Sequence, residues 1–239
     1  MCLVSLKTKE TSYFFPLYLY ADTEMKEKHR SVGVTMMLFE PRATYTTRST
    51  NLSKTLLHSL TQSYNKTPTP ESIFYYIYAV LYSNSYRKKY EEFLKIDFPR
   101  IPFAKDLEVF NKLAESGKEL IDLHLMKSKE FLNPIAKFQG EKDNKVEKIK
   151  FVEEDRRVYI NEIQFFEGID KDIWDYRIGS YQVLDKWLKD RKERRLSLEE
   201  IKHYCKIVTA IKKTIELQET IDQIYPDVEK DLMDFLTSK

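Results

Sequence analysis

Hydrophobic positions recur along this chain at two spacings, and the helical one dominates. Residues 73–82, IFYYIYAVLY, are apolar on every side, which predicts a helix buried all round at the centre of the fold. Thr69, Pro70 and Glu71 open it with a hydroxyl cap, a proline at the first helical position and an acid in the first turn. Ser83, Asn84 and Ser85 interrupt the pattern, and residues 86–95 resume it as an amphipathic helix with Arg87, Lys88 and Lys89 outward. A shorter helix is predicted over residues 54–64, entered through Asn51 and Ser53. Pro99 and Pro102 in FPRIPF enforce extended chain. Asp106 then caps a helix reaching to about Met126, with Leu113, Leu120 and Leu123 or His124 at helical spacing. The capping box Ser197-Leu198-Glu199-Glu200 starts the last helix. It carries Ile201, Tyr204 or Cys205, Val208, Ile211, Ile215 and Ile221 inward and is expected to end at Pro226, a span of roughly 42 Å for about 28 residues.

The second spacing, alternation, is confined to shorter segments. Residues 5–20 are rich in Thr, Tyr and Phe and read as an edge strand, or a pair of strands broken at Pro16. Residues 22–51 and 133–144 read as polar and irregular. Residues 146–152 and 158–166 read as two strands joined by the charged turn 153–157, a β-hairpin. IWDYRI, residues 173–178, alternates as a half-buried strand ended by Gly179, and a helix from Tyr181 to about Asp190 follows with Tyr181, Leu184, Trp187 and Leu188 inward. The expected fold class is α+β: a mostly helical body, a small mainly antiparallel sheet and a long C-terminal helix. We expect one region over residues 1–239, with sub-parts 1–66, 67–132, 133–180 and 181–239.

With 239 residues and 42% apolar composition the chain can bury a core as one large domain or two small ones. Its net charge of +2 identifies no partner, but its distribution is uneven. Residues 186–213 hold ten Lys or Arg against four acids, whereas residues 215–239 hold seven acids against two lysines. Concentrated positive charge on rigid helices is the footprint of a surface that meets phosphates. Two cysteines and four scattered histidines offer no disulfide framework and no metal-ligand cluster. Without a long apolar run or a signal sequence, a soluble, cytoplasmic protein with no membrane partner is expected. The chain reads as a strand from its first residues, as though cut from a longer polypeptide.

The segments SYFFPLYLY, PESIFYYIYAVLYSNSYRKKYEEFLKIDFPRIPF, ELIDLHLM, RRVYINEIQFFEGID and YRIGSYQVLDKWLKDRKERRLSLEEIKHYCKIVTAI, in this order, carry a family likeness. Through them the chain resembles the C-terminal specificity, or target-recognition, region of type ISP restriction-modification enzymes and of related type IIG-like adenine methyltransferases. The resemblance implies a region that reads double-stranded DNA, while other domains of the same polypeptide methylate adenine with S-adenosylmethionine and, in type ISP members, translocate and cut with ATP and Mg2+. It also implies recognition-region sequence ahead of residues 5–20. Ser180 stands where many relatives carry a second glycine, and a serine there is expected to cap the following helix.

Catalytic chemistry is not legible. Asn133-Pro134-Ile135-Ala136 lacks the second proline and the aromatic of an NPPY loop and reads as a helix-terminating loop. Pro226-Asp227-Val228-Glu229-Lys230 packs into one turn the acids that a PD-(D/E)xK nuclease separates, and suits a helix start instead. His124 reads as a hydrogen-bonded core residue and His203 as surface. No catalytic residue, metal or cofactor is assigned to this chain. The phosphate-contact candidates are Lys186, Lys189, Arg191, Lys192, Arg194 and Arg195, which position a duplex without reading it. The base-readout candidates are Arg156 and Arg157 at the hairpin turn, Lys145 in the loop 142–148, and Arg48 and Asn51 in the segment 42–51. The competing reading is a helical interaction module that docks methyltransferase or translocase domains and reads no bases.

Overall fold

The computed structural model describes residues 15–20 and 48–234. Its elements fall into two units, residues 1–74 with 234–239, and residues 75–233. The fold is α+β: helices predominate, the sheets are small and antiparallel, and the last described helix is long. The expectations for residues 5–14 and 21–47 lie outside the described residues. No helix among the described residues is long and apolar enough to cross a membrane.

In the first unit β1, Tyr18–Tyr20, pairs antiparallel with β2, Arg48–Thr50, a strand within the segment expected to be irregular. Pro16, which has no N–H to donate, stands before β1 as its sequence required. Helix α1 occupies Lys54–Tyr64 as expected and ends at Asn65 in a left-handed conformation; Ser53 sits at the N-cap without a side-chain cap bond. The boundary between the units falls inside α2, Pro70–Tyr82. Its burial corrects the expectation of a helix enclosed all round. Ile73, Tyr76, Ala79 and Val80 are buried, while Phe74 is 41% exposed and the other apolar positions are half-buried.

The second unit is built on α8, Leu198–Lys230, whose 33 residues span roughly 50 Å. The capping box forms in full: Ser197 Oγ accepts from Glu200 N and the Glu200 carboxylate accepts from Ser197 N. The helix passes through Pro226 instead of ending there. Proline removes one intrahelical bond, and burial of Tyr225 and Val228 on either side of it holds the last turns. The helix stops where Asp231 turns extended: Ala104 bridges Leu232, and Lys105 N donates to Asp231 O at 3.1 Å.

Against the C-terminal half of α8 lie α3, Asn84–Lys89, and α5, Leu107–His124. Asp222 accepts from Ser83 Oγ at 2.7 Å and from Ser85 N at 3.0 Å, and Gln218 donates to Tyr82 O at 3.1 Å. The single helix expected over residues 86–95 is two, α3 and α4, Glu91–Leu94. It breaks at Tyr90, whose backbone leaves the helical region and whose N–H closes on Tyr86 O. Asp106 caps α5 as expected, accepting from Glu108 N at 2.6 Å. Midway along α5, Gly117 lets two backbones meet, for a Cβ there would lie 1.9 Å from Tyr75 O.

Half-buried between α2, α5 and α8, His124 is hydrogen-bonded at both ring nitrogens, as its surroundings required. Thr214 Oγ1 donates to Ala210 O at 2.7 Å, so it accepts from His124 Nε2–H at 3.1 Å, which leaves Nδ1 to accept from the Tyr78 hydroxyl at 2.8 Å. Burial lowers the His124 pKa, keeping the ring neutral.

The N-terminal half of α8 packs on a four-stranded sheet in the order β3-β6-β5-β4: β3 is Lys137–Gln139, β4 Lys150–Val152, β5 Arg157–Tyr159 and β6 Phe165–Glu167. Val158 and Phe166 oppose one another in register and face the core, where the Phe166 ring meets that of Tyr204 at 4.2 Å. The hairpin about residues 153–156 is present, with several corrections around it. Residues 133–144 contain β3. Only residues 150–152 of the first expected strand are regular. The second expected strand, 158–166, folds back on itself as β5 and β6, because Asn161 Oδ1 accepts from Ile163 N and Gln164 N and closes a tight turn.

Residues 173–178 are not one strand. Lys171–Asp175 forms helix α6, which buries Ile173 and pairs Lys171 with Asp175 at 2.9 Å. Arg177–Ile178, β7, then pairs with Tyr181–Gln182, β8, and helix α7 starts only at Val183 and runs to Lys189. Tyr181 is therefore exposed, not inward, and Gln182, not Ser180, takes the N-cap position. Among the described residues the strands form three separate sheets, not one.

Two outcomes follow. Gly117→Ala costs about 2–3 kcal/mol, since backbone cannot retreat as a flexible side chain can, and lowers Tm by roughly 5–10 °C; an unchanged melting curve contradicts this close approach. A half-buried His124 whose pKa is lowered means that the unfolded chain binds more protons once pH falls below about 6.5, so stability declines with acidification. His203, whose pKa is lowered by burial and then by Arg191 and Lys206, adds in the same direction. His124→Gln should flatten the fall of Tm between about pH 7 and 5.5 without abolishing it, whereas a wild-type slope refutes this role for His124.

Candidate nucleic-acid interface

The basic cluster lies on α7, on the turn 190–196 and at the start of α8. Leu184 and Leu188 anchor α7 in the core, as Leu196, Ile201 and Tyr204 do for the chain that follows. The turn is stitched by backbone to the loop 142–148. Val146 N donates to Arg194 O at 2.9 Å, Glu193 N to Val146 O at 2.8 Å and Leu196 N to Asn144 O at 2.9 Å. Glu193 takes a left-handed conformation to make this possible.

Buried amides hold the loop in place. Gln164 Nε2 donates to Asn144 Oδ1 at 2.8 Å and Gln164 Oε1 accepts from Asn144 N at 2.9 Å. Asn161 Nδ2 donates to Lys145 O at 3.0 Å and to Gln164 Oε1 at 3.1 Å. Gln164 is 1% exposed and Asn161 3%, so each unmade bond there would carry its full desolvation cost.

Most cations predicted to meet phosphate are met first by carboxylates of the chain. Lys186 pairs with Asp190 at 2.5 Å, Lys189 with Asp185 at 2.6 Å and Arg195 with Asp143 at 3.2 Å. Arg191 and Arg194 share Glu200 Oε1 at 3.1 and 3.3 Å. Arg191 also lies 3.6 Å over the Trp187 ring and donates to Trp187 O, and its side chain is 23% exposed against 73% for Arg195. Arg191 thus positions the turn, whereas Arg194, Arg195, Lys186 and Lys189 reach solvent. Lys192 makes no ion pair among the described residues. The backbone N–H of Ser197, then Arg191 and Arg194, hold the Glu200 carboxyl below the usual range. The backbone N–H of Lys145, then Arg195, do the same for Asp143.

The base-readout candidates are dispersed. Lys145 pairs with Glu193 at 2.7 Å and so belongs with the basic turn. Arg156, at a left-handed turn position, holds Asp170 through Nε at 2.5 Å and Nη2 at 3.1 Å. The Arg157 guanidinium lies 4.4 Å over the Phe165 ring. Arg48 covers Tyr18 at 4.2 Å and Asn51 Nδ2 donates to Pro16 O at 2.9 Å, both within the first unit. The carboxylates Asp143 and Glu193 and the amides Asn144, Asn161 and Gln164 carry no signal of their roles in the local sequence. The pairs one helical turn apart, Lys186 with Asp190, Asp185 with Lys189 and Trp187 with Arg191, were the signals available in the local sequence.

No metal-ligand group of three His, Cys, Asp or Glu converges among the described residues. Asp227 pairs with Lys230 and Glu229 with Lys89. Burial pushes the Cys205 thiol up to about 11, which leaves it protonated at neutral pH.

A family model described as the Type ISP C-terminal specificity domain matches residues 1–220. The chain belongs to this family. Among solved structures, this specificity domain is similar to a DrdV–DNA complex determined by cryo-EM (TM-score 0.57, 24% identity, 74% of this chain and 20% of that one). It is also similar to the ATP-dependent Type ISP restriction-modification enzyme LlaBIII bound to DNA (TM-score 0.56, 22% identity, 87% of this chain and 13% of that one). At these identities the likeness is one of fold, and the specificity domain spans a fifth or less of each. No curated protein matches it significantly.

Gln164→Leu keeps most of the volume but strands Asn144 and Asn161. It should cost about 2–4 kcal/mol and lower Tm by at least about 5 °C; a Tm within experimental error of wild type would show that the amide network does not hold the loop.

Proposed function

We propose that this chain recognises double-stranded DNA in a sequence-specific way for a restriction-modification enzyme whose adenine methyltransferase, and any translocase or nuclease, lie in other parts of the polypeptide. S-adenosylmethionine, ATP and Mg2+ then serve those parts, and this chain binds DNA as a non-catalytic specificity element. Membership of a specificity-domain family over residues 1–220 carries the reading. The two similar structures, described as a DNA complex and as bound to DNA, support it.

The mechanism is exchange of partners. Exposed ion pairs contribute little to stability, so a phosphate can replace Asp190 beside Lys186 at small structural cost, and can approach the exposed Lys189 and Arg195 on the side away from Asp185 and Asp143. Lys192 and Arg194 add to the same clamp, while Arg191 braces it through Trp187 and Glu200. Lys145, Arg156 and Arg157 stay candidates for base edges in this unit, and Arg48 and Asn51 in the other.

A second role is favoured by one observation. Tyr90, Phe93, Leu94, Phe98 and Ile101 line an apolar cleft of about 410 Å3, and Phe93 is 71% exposed. Such a surface suits docking against another domain of the same polypeptide.

Lys192→Glu, Arg194→Glu and Arg195→Glu together should weaken duplex binding and flatten its salt dependence, the slope of log K against log salt falling by about 0.9 for each phosphate that is no longer neutralised. Selection from a randomised duplex pool should yield a preferred sequence in which each wrong base pair costs about 1–3 kcal/mol. Undiminished binding by the triple variant removes the clamp, and a pool that stays random removes the sequence-specific reading.

A further inference from the structure

The β7–β8 hairpin carries an apolar surface in a charged neighbourhood. Ile178 and Tyr181 are register partners, side by side on one face, and are 61% and 60% exposed. The base of the hairpin is anchored. Gln182 Nε2 donates to Trp174 O at 2.6 Å, Val183 N donates to Tyr176 O at 3.1 Å, and Trp174 stacks on Phe151 with ring centroids 5.2 Å apart. Gly179 adopts a φ of +59°, the left-handed region that favours glycine in a two-residue hairpin turn, and a Cβ there would meet no atom within 4 Å. Arg177 closes the turn by donating to Ser180 O at 3.1 Å.

The surroundings indicate what such a tip meets. Residues 177–195 hold seven Lys or Arg against three acids, and Lys186 Nζ lies 5.8 Å over the Tyr181 ring. An apolar pair flanked by cations matches the groove of a polyanionic duplex, where phosphate rails border apolar sugar faces and base edges. We propose that Ile178 and Tyr181 form an apolar wedge that enters a groove of duplex DNA and packs against its sugars and base edges, with Lys186 towards the flanking phosphates. The wedge rests on the DNA-binding reading above and adds to it a contact made without charge. Uncharged side chains release no counterions, so their share of the affinity is independent of salt, unlike that of Lys192, Arg194 and Arg195.

The test uses the intact chain and a short fluorescently labelled duplex, with binding followed by anisotropy at about 50 and 200 mM salt. The double variant Ile178→Ser, Tyr181→Ser should lose about tenfold in affinity at both salt concentrations, keep the wild-type salt slope and melt at the wild-type temperature. Tyr181→Phe, which keeps the ring, should bind as wild type. Wild-type affinity in the double variant, a loss confined to low salt, or a loss that accompanies a lowered Tm overturns the wedge; the DNA reading then stands if the charge-reversal variant still binds weakly. A wild-type chain that binds no duplex at either salt concentration removes both.

Discussion

Burial of one continuous helix against two different apolar surfaces is the constraint on which the second unit depends. The N-terminal half of α8 sets Ile201, Tyr204, Val208 and Ile211 into a cluster formed with the four-stranded sheet, α6 and α7. Its C-terminal half buries Ile221, Tyr225 and Val228 and takes polar contacts from the α2–α3 junction through Gln218 and Asp222. A rigid rod shared by two cores transmits position along its length. The register of α8, set by its capping box at one end and by the bridge to Ala104 at the other, places the basic turn relative to the helical body.

Around that turn the chain supplies its own carboxylates to neutralise the cations it displays. Such pairing holds the long side chains in defined positions at the surface, which limits the entropy they would lose on meeting a partner. It also separates two kinds of arginine in one cluster. Arg191 has an aromatic face, a carbonyl and a carboxylate as partners and acts as a brace, while Arg195 has one carboxylate and open solvent. Beneath them Asn144, Asn161 and Gln164 form a buried polar network that ties the loop to the sheet, and satisfied networks of this kind define a single arrangement.

Helix starts were legible because capping is local chemistry. Asp106 and Ser197 announce themselves within four residues, and the structure places α5 and α8 where those residues require. Strand limits were less legible because alternation over few residues has no unique meaning. The run 173–178 alternates as a strand should, but burial of Ile173 and the pair Lys171–Asp175 settle it as helix and hairpin. Pro226 shows the same limit at a helix end, since the packing of Tyr225 and Val228 outweighs a local breaker. Among the site residues, the basic cluster was visible as a charge excess, whereas its division into brace and solvent-facing groups was not.

Local sequence thus specified the α+β class, the caps and cores of the long helices, and the position of the basic segment, because each depends on residues close together in the chain. Which cations are braced and which reach solvent, where Ile178 and Tyr181 point, and how the loop 142–148 meets the turn 190–196 arose from contacts between distant segments. Asp143 and Arg195 are separated by about fifty residues in sequence and by 3.2 Å in space, and no periodicity or propensity along the chain encodes such a pairing.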